Sequence, residues 1–326
     1  MQTPGPLSAE ARLQTELAHG DRALSAVAPV LGHMLETTGA TMVSDAVVAR
    51  LRGMLSHLAT QFLDLVAEAN ERHADPERTG KGSPPNPAAV DRVAQALSGD
   101  RAILNHLYAL AMEGLLTERL EQRAGIDPVL SDLLQDLIGA DDDAVAQLGM
   151  RTLAAQSRFL QTQRRMQFSL EELPAALFSR VLKRFAGTAE ADAEPEALAA
   201  AIGALRQHYD EGATRIALLT RLLSTMGANR NRALDFDHAG LALFATGLSA
   251  LTGQPRGLAV LACHERQGAR LALSLRAAGL APTAVERQFL AIEPTRRVPD
   301  GLAEIAPERA ASLLELDRGA GDTIAP

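Results

Sequence analysis

The sequence predicts an all-α protein, and three observations carry that expectation. Ala, Leu and Arg dominate a chain with only 3% aromatic residues, and these residues lose little side-chain freedom in a helix. Val, Ile and aromatic residues nowhere form the alternating runs of a strand. Apolar residues instead recur at spacings of three and four over many turns. With 326 residues, 47% hydrophobic and 22% charged, the chain has globular proportions and a length suited to two compact units or one extended helical stack.

Residues 1–7 carry Pro4, Gly5 and Pro6 and are expected to fray; Ser8 then caps the first helix. An imperfect helical pair follows to about Gly39, interrupted at "HGD" (19–21) and kinked or broken near Pro29. Ser44 caps a long helix through His73, with Val47, Leu51, Met54, Leu58, Phe62 and Leu65 at spacings of four and three. That narrow seam wants a partner helix, in the same chain or in a second copy, so a homodimer is one way to fill it.

"ADPERTGKGSPPNP" (74–87) lacks apolar anchors and reads as a flexible linker. The segmentation that follows is 1–74, a linker 75–87, a helical unit 88–186, an acidic linker 187–194, a second unit 195–300, and a C-terminal helix and tail 301–326. In the first unit Asp100 caps a helix to about Arg123, and short helices follow Pro128 and Asp143. "QFS" (167–169) ends the second of these, and Ser169 with Glu172 forms a capping box for a helix over 170–185. In the second unit a helix runs from about Pro195 to Met226, "GANRNRALDFD" (227–237) breaks it, and Asp237 caps 238–252. Residues 258–292 read as a long helix, a tight turn at Gly279 and a second helix; Pro294 and Pro299 close the unit, and 307–317 forms a last amphipathic helix. A shift of 111 residues pairs Leu130 with Leu241, Leu137 with Leu248, Gln156 with Gln267, Leu160 with Leu271, Arg165 with Arg276 and Phe178 with Phe289. Both segments share one helix order, which suggests an internal repeat.

The chain carries a formal net charge of -8, so it gains no general attraction to nucleic acid or anionic lipid. Its single cysteine forms no internal disulfide and suits a reducing compartment. The N-terminus lacks a basic start with an apolar run, and the longest uncharged segment, 239–255, falls short of the roughly 20 apolar residues of a membrane span. These features predict a cytoplasmic protein that does not enter a membrane.

Candidate chemistry is sparse. Cys263, His264 and Glu265 are consecutive, and consecutive helical residues point about 100° apart, so they do not converge; Cys263 follows the apolar line of Leu258, Leu261 and Leu271 and reads as a buried small hydrophobe. His57 and His106 lie in long helices, as a phosphotransfer bundle requires, but their neighbours are apolar and neutral. Asp141, Asp142 and Asp143 suit a helix start better than a metal site. No zinc-binding H-E-x-x-H pair, no phosphate-cradling glycine loop and no G-x-S-x-G elbow occurs. No catalytic, metal or cofactor residue is therefore expected.

The stretch 241–292, "LALFATGLSALTGQPRGLAVLACHERQGARLALSLRAAGLAPTAVERQFLAI", resembles units of an alphaproteobacterial family, the domain of unknown function numbered 2336. Those units look like an apolar helix ending in G-x-P, a helix with L-x-L-R-A-A-G-L-P, and a short aromatic-bearing helix. Here the pattern reads Gly253-Gln254-Pro255 and Arg276-Ala277-Ala278-Gly279-Leu280, with Ala281 inserted before Pro282. The resemblance covers about the last 60 residues and, weakly, the earlier echo. It implies a helical, repeat-like cytoplasmic protein and supplies no activity or catalytic residue.

The sequence thus favours a non-catalytic protein–protein interaction protein, a scaffold or regulatory adaptor whose partner is unnamed. Its candidate interaction surface is Arg158, Gln161, Arg164, Arg165, Arg266, Arg270, Arg276 and Arg287, because Arg makes planar paired contacts with carboxylates. The first alternative is a DNA-binding regulator using the helix–turn–helix-like hairpin. Gln254–Arg297 holds seven Arg and three Glu, but Thr283, Ala284 and Arg287 are a thin base-reading set. The second alternative is a phosphotransfer or other helical-bundle enzyme.

Overall fold

The computed structural model describes residues 8–36, 45–74, 84–189 and 194–320. Within them the chain forms fourteen α-helices and five short 3-10 turns, with no strand. The helices are α1 (Ala9–Glu36), α2 (Asp45–Ala74), α3 (Pro87–Ser98), α4 (Arg101–Ala124), α5 (Asp132–Ile138), α6 (Asp143–Arg164) and α7 (Ala175–Ala189). They continue as α8 (Pro195–His208), α9 (Arg215–Thr225), α10 (Phe236–Thr252), α11 (Arg256–Ala262), α12 (Gly268–Ala277), α13 (Pro282–Ile292) and α14 (Pro307–Ala320). The all-α expectation holds.

Among the described residues the chain divides into two compact units, each drawn from separated stretches. One comprises Met1–Val27, Met112–Ala154 and Leu219–Ala325; the other comprises Ala28–Ala111 and Ala155–Leu218. The units do not divide at the expected linkers. Residues 1–7, Ser44, 75–83 and 190–193, which carry the expected frayed end, one cap and most of the two linkers, lie outside the described residues.

In the unit containing α2, the expected seam is the core. Val47, Leu51, Met54, Leu58 and Phe62 are all buried, and Leu65 is only half-buried; the stripe continues instead through Val66 and Ala69. The partner helices belong to the same chain, for α2 packs on α3 and α8. Phe62 stacks on Phe185 of α7, ring centroids 4.1 Å apart. The turn after α6 presses on α2 at Gly53, where a Cβ would lie 2.5 Å from the Met166 carbonyl oxygen. Asp100 caps α4 as expected, accepting from the Ala102 amide at 3.0 Å, and also pairs with Arg180 at 2.7 Å. Burial alone would raise its pKa, but the Arg180 hydrogen bond and the Ile103 and Ala102 amides outweigh it and hold the carboxyl below its usual value.

In the other unit α10 is buried along most of its length, including Phe236, Leu241, Leu243, Phe244 and Leu248, and packs on α5, α11, α12 and α13. Gly247 lets the 227–234 turn approach, since a Cβ there would meet that of Ala233 at 2.7 Å. Helix α12 is buried from Ala269 to Arg276 and lies against α14.

Several local expectations are corrected. Helix α1 runs unbroken through "HGD" with Pro29 inside it; the helix absorbs the missing donor. The second of the two short helices is the 22-residue α6, and its first amides are capped by Asp142, at 2.8 Å from the Ala144 nitrogen. The Ser169–Glu172 box does not form. Ser169 caps a 3-10 turn, whereas the Glu172 carboxylate reaches across to accept from the Arg215 amide at 2.8 Å, and α7 starts only at Ala175. The helix expected over 195–226 is two, because Asp210 caps a 3-10 turn by accepting from the Gly212 amide. The start of α10 is supported not by Asp237 but by Gln288, whose Oε1 accepts from the Phe236 amide at 2.8 Å. The long helix expected from 258 ends at Ala262, and α12 begins after a 3-10 turn at Glu265–Gln267 whose N-cap is His264.

The residues of the 111-residue echo match in burial at Gln156 and Gln267, Leu160 and Leu271, and Phe178 and Phe289, but Arg165 is exposed where Arg276 is buried. Both α6 and α12 end in a left-handed residue, Met166 and Gly279. In each case the next amide, of Gln167 or Leu280, returns to the carbonyl five residues back. This is the same helix-stop hydrogen-bond pattern, displaced by 113 positions rather than 111.

Candidate interaction surface

The eight polar residues singled out from the sequence separate into an exposed set and a buried set. Arg158, Gln161 and Arg164 are exposed on the C-terminal turns of α6, and Arg165 is exposed on the turn that follows it. Their spacing of three and four places them on one side of the helix. The opposite side is anchored by buried Ala155, Gln156, Phe159, Leu160 and Gln163. Arg215 is buried over the Phe159 ring, 3.6 Å from its centroid, and bonds Gln156 at 3.0 Å, so that anchored side carries a desolvated guanidinium. Met166, 41% exposed, ends the helix beside the arginines. The result is a fixed rod with long cationic side chains and one apolar tip.

The hairpin behaves differently. Arg266 and Arg287 are exposed, but Arg270 and Arg276 are buried, which removes both from the candidate surface. Arg270 pairs with Asp21 of α1. Arg276 donates to the Leu280 carbonyl at 2.5 Å and to that of Ile305 at 2.7 and 3.1 Å, tying α12 to its own terminal turn and to the segment before α14. A guanidinium carries five donors, and here they satisfy carbonyl groups that end helices or turns. Periodicity could not reveal this, because a buried Arg and a solvated one look alike in a single sequence. The same holds for Arg256, which meets Glu113 of α4 at 2.7 Å, and for Arg296, which donates to the carbonyls of Cys263 and His264 at 3.1 and 2.9 Å. Of Arg270, Arg276 and Arg287, the arginines on which the DNA-reading alternative relied, the first two are thus engaged within the unit and Arg287 is exposed.

The candidate chemical groups are dispersed. Cys263 is buried, as its apolar line implied, and burial pushes its thiol up to about 12, with the Arg296 charge too weak to offset it. His57 Nδ1 lies 2.8 Å from the Phe168 carbonyl and 2.7 Å from Gln61 Nε2, fixing the loop after α6. The ring of His106 meets Phe168 edge-on, with centroids 6.1 Å apart. Asp142 spends a carboxylate oxygen on the α6 cap. Among the described residues no three His, Cys, Asp or Glu side chains stand close enough to hold a metal ion, and no helix is long and apolar enough to cross a membrane. No family model, curated protein or solved structure matches the chain.

Proposed function

We propose that this is a non-catalytic interaction protein, a cytoplasmic scaffold or regulatory adaptor that presents the α6 face to an acidic partner. The carrying observation is the exposed group Arg158, Gln161, Arg164 and Arg165, held on a helix whose other side is buried. Three guanidiniums on an anchored rod match carboxylates spaced along a partner helix, and Met166 supplies an apolar contact. The single cysteine accords with a reducing compartment. Kinship of the C-terminal segment with the family numbered 2336 is part of the same proposal. The α2 seam is filled within the chain, so the reading needs no dimer through it.

The test is affinity capture from native cytosol at low and moderate salt, with and without nuclease, using the natural chain and a double variant Arg158→Glu, Arg165→Glu. The reading expects one specific protein in both nuclease arms and its loss with the variant. Recovery of nucleic acid instead, abolished by nuclease or modest salt, overturns it.

A further inference from the structure

A concavity of about 300 Å³ opens in the unit containing α10, lined by Asn231, Leu234, Asp235, the turn Ala278–Leu280, Arg287 and Gln288. That volume falls at the lower edge of small-ligand sites. Three features give it chemical character. Asp235 and Arg287 are exposed on its rim, opposite in charge, and no ion pair or side-chain hydrogen bond engages either among the described residues. Gln288 is 4% exposed, and its Oε1 accepts from the Phe236 amide at 2.8 Å, its one hydrogen bond among the described residues. No described residue accepts from the Nε2 of this amide, and Gln288 lines the cavity. Leu280, half-buried, adds an apolar contact, and Gly279, with φ at 92°, makes the tight turn that carries it.

We propose that this concavity binds a small zwitterion of the α-amino-acid class with an apolar side chain. The carboxylate faces the Arg287 guanidinium and Gln288 Nε2, a charge-assisted pairing. The ammonium group faces Asp235 and the Asn231 amide oxygen, and the side chain lies on Leu280. A carboxylate-only ligand would leave Asp235 facing its apolar part, and an amine-only ligand would do the same to Arg287; a zwitterion satisfies both. The site makes no use of the α6 face, and the inference does not rest on the interaction reading.

The test is amide NMR titration of the full chain with L-leucine, N-acetyl-L-leucine and L-leucinamide, up to about 10 mM, the range where weak small-ligand sites saturate. L-leucine is expected to give saturable shifts around 278–288, and each blocked analogue to bind at least about fivefold more weakly. Arg287→Gln and Asp235→Asn, both surface changes, are each expected to weaken L-leucine by a similar factor with unchanged thermal melting. The proposal fails if L-leucine gives no saturable shift, if either analogue binds as well as L-leucine, or if both folded variants bind it unchanged.

Discussion

Arg256 grips Glu113 with both terminal nitrogens, Nη1 to Oε2 at 2.8 Å and Nη2 to Oε1 at 2.7 Å, across 143 positions of sequence. The carboxylate side chain is 1% exposed and the guanidinium 10%. Arg256 also donates to Thr246 Oγ1 at 2.9 Å, so one residue at the start of the short helix α11 joins α4, α10 and α11. Removing one partner leaves the other charge buried and unpaired, at a cost of about 3–5 kcal/mol. Glu113→Leu and Arg256→Met are each expected to destabilise by that order. The double variant Glu113→Leu, Arg256→Met should recover much of it, because an apolar pair carries no desolvation cost. A denaturant double-mutant cycle measures this; additive losses would show that the two charges do not act as a pair.

Gly53 and Met166 form the second constraint. Met166 is the one non-glycine residue with positive φ among the described residues, at 56°, and it stops α6 where glycine is the usual choice. An added Cβ on Gly53 would lie 2.6 Å from that of Met166 as well as 2.5 Å from its carbonyl oxygen. Gly53→Ala should therefore cost about 1–3 kcal/mol despite alanine's better helix propensity. Met166→Gly should be neutral or stabilise by up to about 1 kcal/mol, since it relieves the left-handed backbone. Urea denaturation of the two variants separates steric contact from propensity: if Gly53→Ala stabilises, the turn does not press on α2 in solution.

Asp100 serves a helix start and an ion pair together, which predicts its acid behaviour. Its folded pKa lies below the ordinary aspartate value of 3.8. The native carboxylate therefore holds its proton less tightly than the unfolded one, and the unfolded chain binds more protons as pH falls. The associated stability is complete well above pH 4 and is lost as pH drops through the folded pKa. Asp100→Asn keeps the cap but not the charge, so it should lower stability at neutral pH and flatten the acid limb of the stability curve. Asp100→Ala should cost about 1–2 kcal/mol more through the missing cap. An acid limb unchanged in the Asn variant would remove Asp100 from the acid transition.

The legible parts of this fold were those set by short-range chemistry. The seam Val47 to Phe62, the Asp100 cap and the turn at Gly279 follow from spacing and local residue type, and the structure contains each of them. The missed parts depend on residues far apart in the chain. Glu172 is three positions from Ser169, as a capping box requires, yet its carboxylate binds the amide of Arg215, 43 positions on. Asp237 stands near a helix start, but Gln288 supports it from 52 positions away. The candidate surface was legible only in part for the same reason: Arg158 and Arg165 are exposed beside the end of α6, whereas Arg270 and Arg276 are buried and meet Asp21 and the Ile305 carbonyl. Charge patterning identifies guanidiniums and cannot say which of them meet an acceptor inside the fold.

Cys263 supports one more expectation, in alkaline solution. Burial raises its thiol from an ordinary value of 9.0 to about 12. Between those values the unfolded chain loses the thiol proton while the native chain keeps it, so the unfolded state binds fewer protons and stability falls as pH rises. The slope from one such group is about 1.4 kcal/mol per pH unit. Cys263→Ala removes that slope at the expense of a small cavity, so its stability relative to the natural chain should improve from pH 9 toward pH 11. Tyr209, raised from 10.0 to about 12 by burial and then by the Glu211 and Asp210 charges, adds a later fall of the same sign in both proteins. Thiol labelling provides a second readout. The native protein at pH 8 should react with a thiol-specific disulfide reagent many times more slowly than the denatured chain, because the thiolate is scarce and enclosed. Rapid native labelling at that pH would mean that the core around α11 opens freely, and the expected alkaline slope would then vanish with it.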